Sequence, residues 1–233
     1  MPDDRAAGAG PDAAHERASF RAGLRAGSVL AVPTLTLAIT FGVLARSLLW
    51  GIAAPVVFSA VGFSGSAQFA VASVLGAGGG AVAAVAAAVL VNARFLPMGV
   101  AVAPALKGGR ARRALEGQAV VDASWAMASR GDGSFDREFM IGATIPQFLG
   151  WTGGTAIGAA AASAIGDIRD LGLDAVFPAF FLALLTGEVR RGGRAVIAAG
   201  LAAALAFSLI PFTPAGVPVI AACAAALLGF RRV

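Results

Sequence analysis

Apolar stretches bounded by charged residues or by Gly and Pro clusters recur along this chain at roughly 27–49, 52–76, 79–106, 139–165, 173–187, 195–211 and 216–230. Several approach or exceed the ~20 residues a helix needs to cross a bilayer, and others are marginal. The pattern predicts an all-α, polytopic membrane protein with about seven membrane segments, some broken or re-entrant. Residues 1–23 are rich in Ala, Gly, Asp and Arg and hold no apolar run before Val29, which predicts a disordered cytoplasmic tail rather than a cleaved signal peptide. Residues 24–233 then form a single helical membrane domain.

Nearly every run contains a proline: Pro33, Pro55, Pro97, Pro146, Pro178 and Pro211. Each removes a backbone donor and frees the carbonyl four residues earlier, so broken helices are expected. A faint internal repeat accompanies them. Pro33 and Pro146 lie 113 residues apart, and the Ala-rich leads 81–97 and 195–211 are offset by 114. Repeats of this kind typify transporters, whose sites lie near the midplane.

Basic residues cluster at Arg17, Arg21 and Arg25, at Lys107, Arg110, Arg112 and Arg113, at Arg190, Arg191 and Arg194, and at Arg231 and Arg232. The positive-inside rule places all four clusters, and the N-terminus, in the cytoplasm. Three apolar runs separate the first two clusters, so one of them cannot be a simple crossing. Either 52–76 enters and returns around Phe63-Ser64-Gly65-Ser66-Ala67-Gln68-Phe69, or residues 114–129 partly enter the membrane and make the halves an inverted pair.

Composition agrees with this class: 58% hydrophobic residues, 13% charged and a mean hydropathy of +0.81. A net charge of +5 would suggest nucleic acid in a soluble protein, but the charges flank apolar runs and read as loop charges. Cys223 is the only cysteine and His15 the only histidine. No intrachain disulfide, metal site or cofactor is therefore expected, and histidine-based catalysis has no residue to use. Nucleophile, paired-acid and phosphate-loop motifs are also missing, so an enzyme is not expected.

Polar chemistry inside the apolar runs falls at four places. Arg94 lies in 76–106, which is otherwise apolar or small except for Asn92; a charge there costs about 2.5–3.5 kcal/mol on insertion scales and must face protein, water or an anion. The turn with Ser64, Gly65, Ser66 and Gln68 can offer helix-terminal N–H groups to an anion. Asp122, in the apolar island 120–127, can be a counter-charge for Arg94, a proton carrier, an ammonium ligand or a solvated loop residue. Gln147 follows Pro146, and Glu188 beside Arg190 and Arg191 suits an interfacial ion pair. Asn92 and Arg94 project about 200° apart on an unbroken helix, so a break near Pro97 is needed for both to line one cavity.

The segment 63–69, followed by Asn92-Ala93-Arg94 and then by Asp122, resembles the AzlC family of branched-chain amino-acid permeases over roughly residues 20–190. The resemblance implies a polytopic inner-membrane exporter of branched-chain amino acids, often with a small AzlD-type membrane partner. It supports Ser64, Gly65, Ser66, Gln68, Asn92, Arg94 and Asp122 as substrate-binding residues. Two positions depart from it: Phe95 stands where the family commonly has His, and Asp122-Ala123 where it commonly has Asp-Glu. The expected function is secondary transport of a small zwitterion, with the substrate, the lipid bilayer and a homo-oligomer or small subunit as partners. The alternatives are a nonenzymatic membrane subunit, in which Arg94 is a structural clamp, and a passive channel.

Overall fold

The computed structural model describes residues 11–165, 193–213 and 217–223, with positions 179, 182, 185–187, 189 and 190. Most of run 173–187, with Pro178, lies outside these residues, as do Glu188 and the end of the last run. Among the described residues the elements are α1 (Pro11–Ser47), α2 (Ala53–Gly62), α3 (Gly65–Gly76), α4 (Ala81–Asn92), α5 (Phe95–Val102), a 3-10 turn (Ala103–Ala105), α6 (Arg110–Gly117), α7 (Asp122–Ala128), α8 (Arg137–Ile165), α9 (Gly193–Leu209) and α10 (Val217–Cys223). Among the described residues every element is helical, with a single isolated bridge, Ser129 with Phe135.

Helix α1 covers the described residues from Pro11 on, so 11–23 are helical where a disordered tail was expected. Tertiary contacts supply what composition did not: Glu16 pairs with Lys107 at 2.6 Å, and Gly23 lies against the Phe139 carbonyl. At 37 residues α1 is about 55 Å long, well beyond a hydrocarbon core of ~30 Å. It is the one described helix both long and apolar enough to cross a membrane, and α4 with α5 makes a second if the broken pair counts as one span. The described residues thus hold fewer complete crossings than seven, because runs 52–76 and 79–106 are each divided.

The prolines act less uniformly than expected. Pro33 and Pro146 sit inside continuous helices. At each, the next side chain donates into the preceding turn: Thr34 Oγ1 to the Leu30 carbonyl at 2.7 Å, and Gln147 Nε2 to the Ala143 carbonyl at 2.8 Å. Each bond reaches the carbonyl next to the one the proline leaves without a donor, Leu30 beside Val29 and Ala143 beside Gly142. Gln147 is thereby committed to its own helix. Pro55 and Pro97 fall in the first turns of α2 and α5, where a missing N–H is harmless, and Pro211 follows α9. The break expected near Pro97 comes just before it, at Ala93 and Arg94.

Backbone packing divides the chain into two compact units, 1–37 with 94–154, and 38–93 with 155–233. In the first, α1 and α8 meet through glycines. A Cβ at Gly23 would stand 2.2 Å from the Phe139 carbonyl oxygen, and one at Gly142 would stand 2.3 Å from that of Phe20. Phe20 with Gly142, Gly27 with Ala143 and Ala31 with Gly150 advance together, so the helices are parallel there. Without a hydrophobic drive between helices in lipid, such close backbone approach is what holds them. The reciprocal contacts of Phe20 and Gly23 with Phe139 and Gly142 are offset by 119 residues, and those of Ile39 and Gly42 with Thr155 and Gly158 by 116. Apolar residues of α5, α7, α8 and the link between α6 and α7 complete this unit, with Val102, Ala119, Val120, Ala128 and Met140 buried.

In the second unit, Gly42 and Gly158 make the corresponding close approaches, to the Thr155 and Ile39 carbonyls. Phe41 is fully buried, edge-on to Phe69 at 5.6 Å and Phe58 at 6.4 Å. Helices α3 and α4 pack through Ala70, Val74, Ala84 and Ala87, and α10 packs on α4 and α9.

Candidate functional site

In the first unit, Arg94 occupies the position immediately before α5 and Asp122 is the first residue of α7. They form a two-pronged ion pair: Arg94 Nε donates to Asp122 Oδ1 at 3.0 Å and a terminal nitrogen to Oδ2 at 2.8 Å. The Arg94 guanidinium also lies 4.7 Å over the Phe95 ring. Of the roles open to Asp122, the counter-charge is the one seen. The pair remains accessible, with side-chain exposures of 37% and 61%.

Asp122 reaches Arg94 because residues 116–136 rise and return along α8 and α5. Glu116 pairs with Arg137 at the start of α8, and two turns further along it Thr144 Oγ1 meets the Ala119 carbonyl at 2.9 Å. Beyond Asp122 the chain descends: Trp125 Nε1 donates to the Met98 carbonyl at 3.3 Å, and the Asp136 N–H to that of Ala128 at 2.9 Å. Asp122 lies near the top of this loop, between two apolar helices.

In the second unit, Phe63 adopts a left-handed conformation (φ 30°) that ends α2, and Ser64, extended, immediately precedes α3. Ser64 Oγ donates to Asn92 Oδ1 at 2.7 Å, joining the turn between α2 and α3 to the end of α4. Fully buried Gln68 donates through Nε2 to Ser59 Oγ at 2.8 Å, and Ser59 shares a hydrogen bond with Thr155 Oγ1 at 2.8 Å. Nine residues of straight helix would separate Ser59 and Gln68 by about 13.5 Å, so the turn folds α3 back towards α2. Gly65 opens α3, and Ser66 is buried in its first turn. Of the expected residues, Ser64 joins Asn92 and Arg94 joins Asp122, while Gln68 joins Ser59. The Ser64–Asn92 group belongs to one unit and the Arg94–Asp122 pair to the other.

Sequence reasoning did not single out Ser59, Thr155, Ser124 or Thr144, since lone hydroxyls in Ala-rich helices carry no local signal. It also missed Glu116 and Arg137, although Arg112 and Glu116 have helical pair spacing. Glu116 accepts from Arg137, Arg112 and the Lys107 N–H, and the Arg137 guanidinium, more than the others, holds its carboxyl well below the usual range, at about 2. A depressed carboxylate pKa adds stability that is complete above about pH 4.5 and is lost as pH falls toward 2. Thermal unfolding in detergent between pH 6 and 2.5 should show that loss, and Glu116→Gln should flatten it.

No group of three or more His, Cys, Asp or Glu able to hold a metal occurs among the described residues. What the two clusters offer instead is paired charge and amide chemistry on apolar helices.

Comparison with known proteins agrees with this picture. The AzlC protein family matches residues 29–165, which contain both clusters. An uncharacterized membrane protein of Archaeoglobus fulgidus is 30% identical over 214 residues, covering 91% of this chain and 94% of its own length. No solved structure matches. By its sequence and by the span of that match, this chain is a membrane protein of the AzlC family.

Proposed function

We propose that this chain is a secondary transporter that moves small zwitterions, aliphatic amino acids foremost, outward across the cytoplasmic membrane. The observation that carries the reading is the accessible two-pronged pair of Arg94 and Asp122. An amino acid presents the same two charges in reverse, its carboxylate matching the guanidinium and its ammonium matching Asp122. Exposed ion pairs are worth only about 0–1 kcal/mol, so a zwitterion can replace the pair without a large penalty. Charges at membrane depth that are exposed must meet water, which a substrate route supplies. Ser64, Gly65, Ser66, Gln68 and Asn92 are proposed as a second polar station, while Ala, Val and Phe suit an aliphatic side chain.

Topology supports a cytoplasmic start. The Glu16–Lys107 pair brings the second basic cluster to the start of α1, so both clusters share one side. Parallel α1 and α8 require an odd number of crossings between them. The pair α2–α3, folded at Phe63–Ser64, is the natural re-entrant element, and 116–136 returns to its own side. A small AzlD-type membrane subunit is the partner we expect.

The clamp reading is favoured by one fact, that both Asp122 oxygens are occupied by Arg94. Cells loaded with labelled leucine, valine and methionine, with and without a co-expressed small partner, decide whether there is transport at all. Saturable efflux that depends on this chain supports the proposal; efflux equal to that of cells lacking it excludes the proposal.

A further inference from the structure

Two buried hydroxyls that touch neither charge converge on one backbone oxygen just before Asp122. Ser124 is fully buried, and its Oγ lies 2.6 Å from the Ala119 carbonyl, with the Val121 carbonyl at 3.2 Å and the Val121 N–H donating to it at 3.4 Å. Thr144, on α8 and also buried, reaches the same Ala119 oxygen at 2.9 Å while lying 3.0 Å from its own Met140 carbonyl. Ala119 follows α6, and backbone bonds from Ala119, Val120 and Val121 to Glu116, Gly117 and Ala119 wind this stretch into successive tight turns. Such a segment, inserted between apolar helices, must have its carbonyls satisfied by protein. A carbonyl has two acceptor sites, and Ser124 and Thr144 can fill both, one from within the loop and one from α8.

We propose that Ser124 and Thr144 are positioning residues that set the height of Asp122 opposite Arg94, and so fix the spacing at which the pair reads a carboxylate and an ammonium. The proposal rests on the substrate reading of that pair, but its geometric half is independent of transport. Thr144 is the joint between the loop and α8. Ser124 is the brace inside the loop, holding Val121 and Ala119 on either side of the bend that presents Asp122. Thr144→Val keeps the side chain's volume and removes the hydroxyl, whereas Thr144→Ser keeps the hydroxyl.

The test has two arms. In a Cys223→Ser background with Arg94→Cys and Asp122→Cys, the rate of cross-linking by a short bifunctional thiol reagent reports the position of the loop without help from the ion pair. Adding Thr144→Val should slow that reaction several-fold, and Thr144→Ser should restore it. An unchanged rate overturns the positioning role, whatever happens to transport. In the otherwise native chain, leucine uptake by inside-out vesicles should show KM raised about tenfold by Thr144→Val, with the maximal rate within about twofold, and recovered in Thr144→Ser. A tenfold change corresponds to about 1.4 kcal/mol. A fall in maximal rate at unchanged KM also overturns the proposal. Slowed cross-linking together with absent leucine uptake by the wild-type chain would leave the geometry standing and remove the transport reading on which its use depends.

Discussion

Replacing Arg94 with alanine is expected to abolish leucine export, by about a hundredfold or more, while the protein reaches the membrane at near wild-type abundance. Charge-assisted hydrogen bonds contribute about 1.5–3 kcal/mol each, and the two prongs of the guanidinium are what a carboxylate would use. Asp122, left alone, remains accessible enough to keep its water. A clamp predicts otherwise. Abundance should then fall with Arg94→Ala, and the exchange Arg94→Asp with Asp122→Arg should restore both abundance and flux. Immunoblotting of membranes beside labelled-leucine efflux separates the two outcomes, and wild-type export by Arg94→Ala would remove the substrate role altogether.

The second large effect lies in the α1–α8 contact. Gly27→Leu should eliminate folded protein, because even a single Cβ there would sit 2.1 Å from the Ala143 carbonyl oxygen. Gly158→Leu should do the same in the second unit, where the Ile39 carbonyl oxygen would be 2.0 Å away. Overpacking a tight contact costs about 1–3 kcal/mol even for a few methylenes, and backbone cannot rotate aside as a side chain can. Gly153→Ala, on the same helix with nothing within 4 Å of its added Cβ, should leave the protein unchanged. Size-exclusion chromatography in mild detergent reads all three. A monodisperse Gly27→Leu protein would mean that α1 and α8 can separate without loss.

How far the residues alone reveal this molecule depends on the range of each interaction. The turn at 63–64 was legible as one of two alternatives, because Gly and Ser interrupt the apolar run 52–76, and the need of Arg94 for protein, water or an anion was legible because a charge at that depth is costly. Asp122 was one of several candidates for that partner, since nothing local shows a loop folding back along α5. The continuous helices at Pro33 and Pro146 were not expected, because a proline in the sequence shows the lost donor but not the packing of α1 on α8 that surrounds both helices. The helical stretch 11–23 was missed for a similar reason: Lys107 and Phe139, which hold it, are distant in sequence. Glycines such as Gly23 and Gly142 looked like generic small residues until their neighbours were known.

The claim that matters most is that Arg94 and Asp122 together read a zwitterion, and competition binding to the purified protein tests it directly. Labelled leucine should bind saturably and be displaced by unlabelled leucine, but not by 4-methylpentanoate, which keeps only the carboxylate, nor by isoamylamine, which keeps only the ammonium. Displacement by either singly charged analogue as effectively as by leucine would contradict the account.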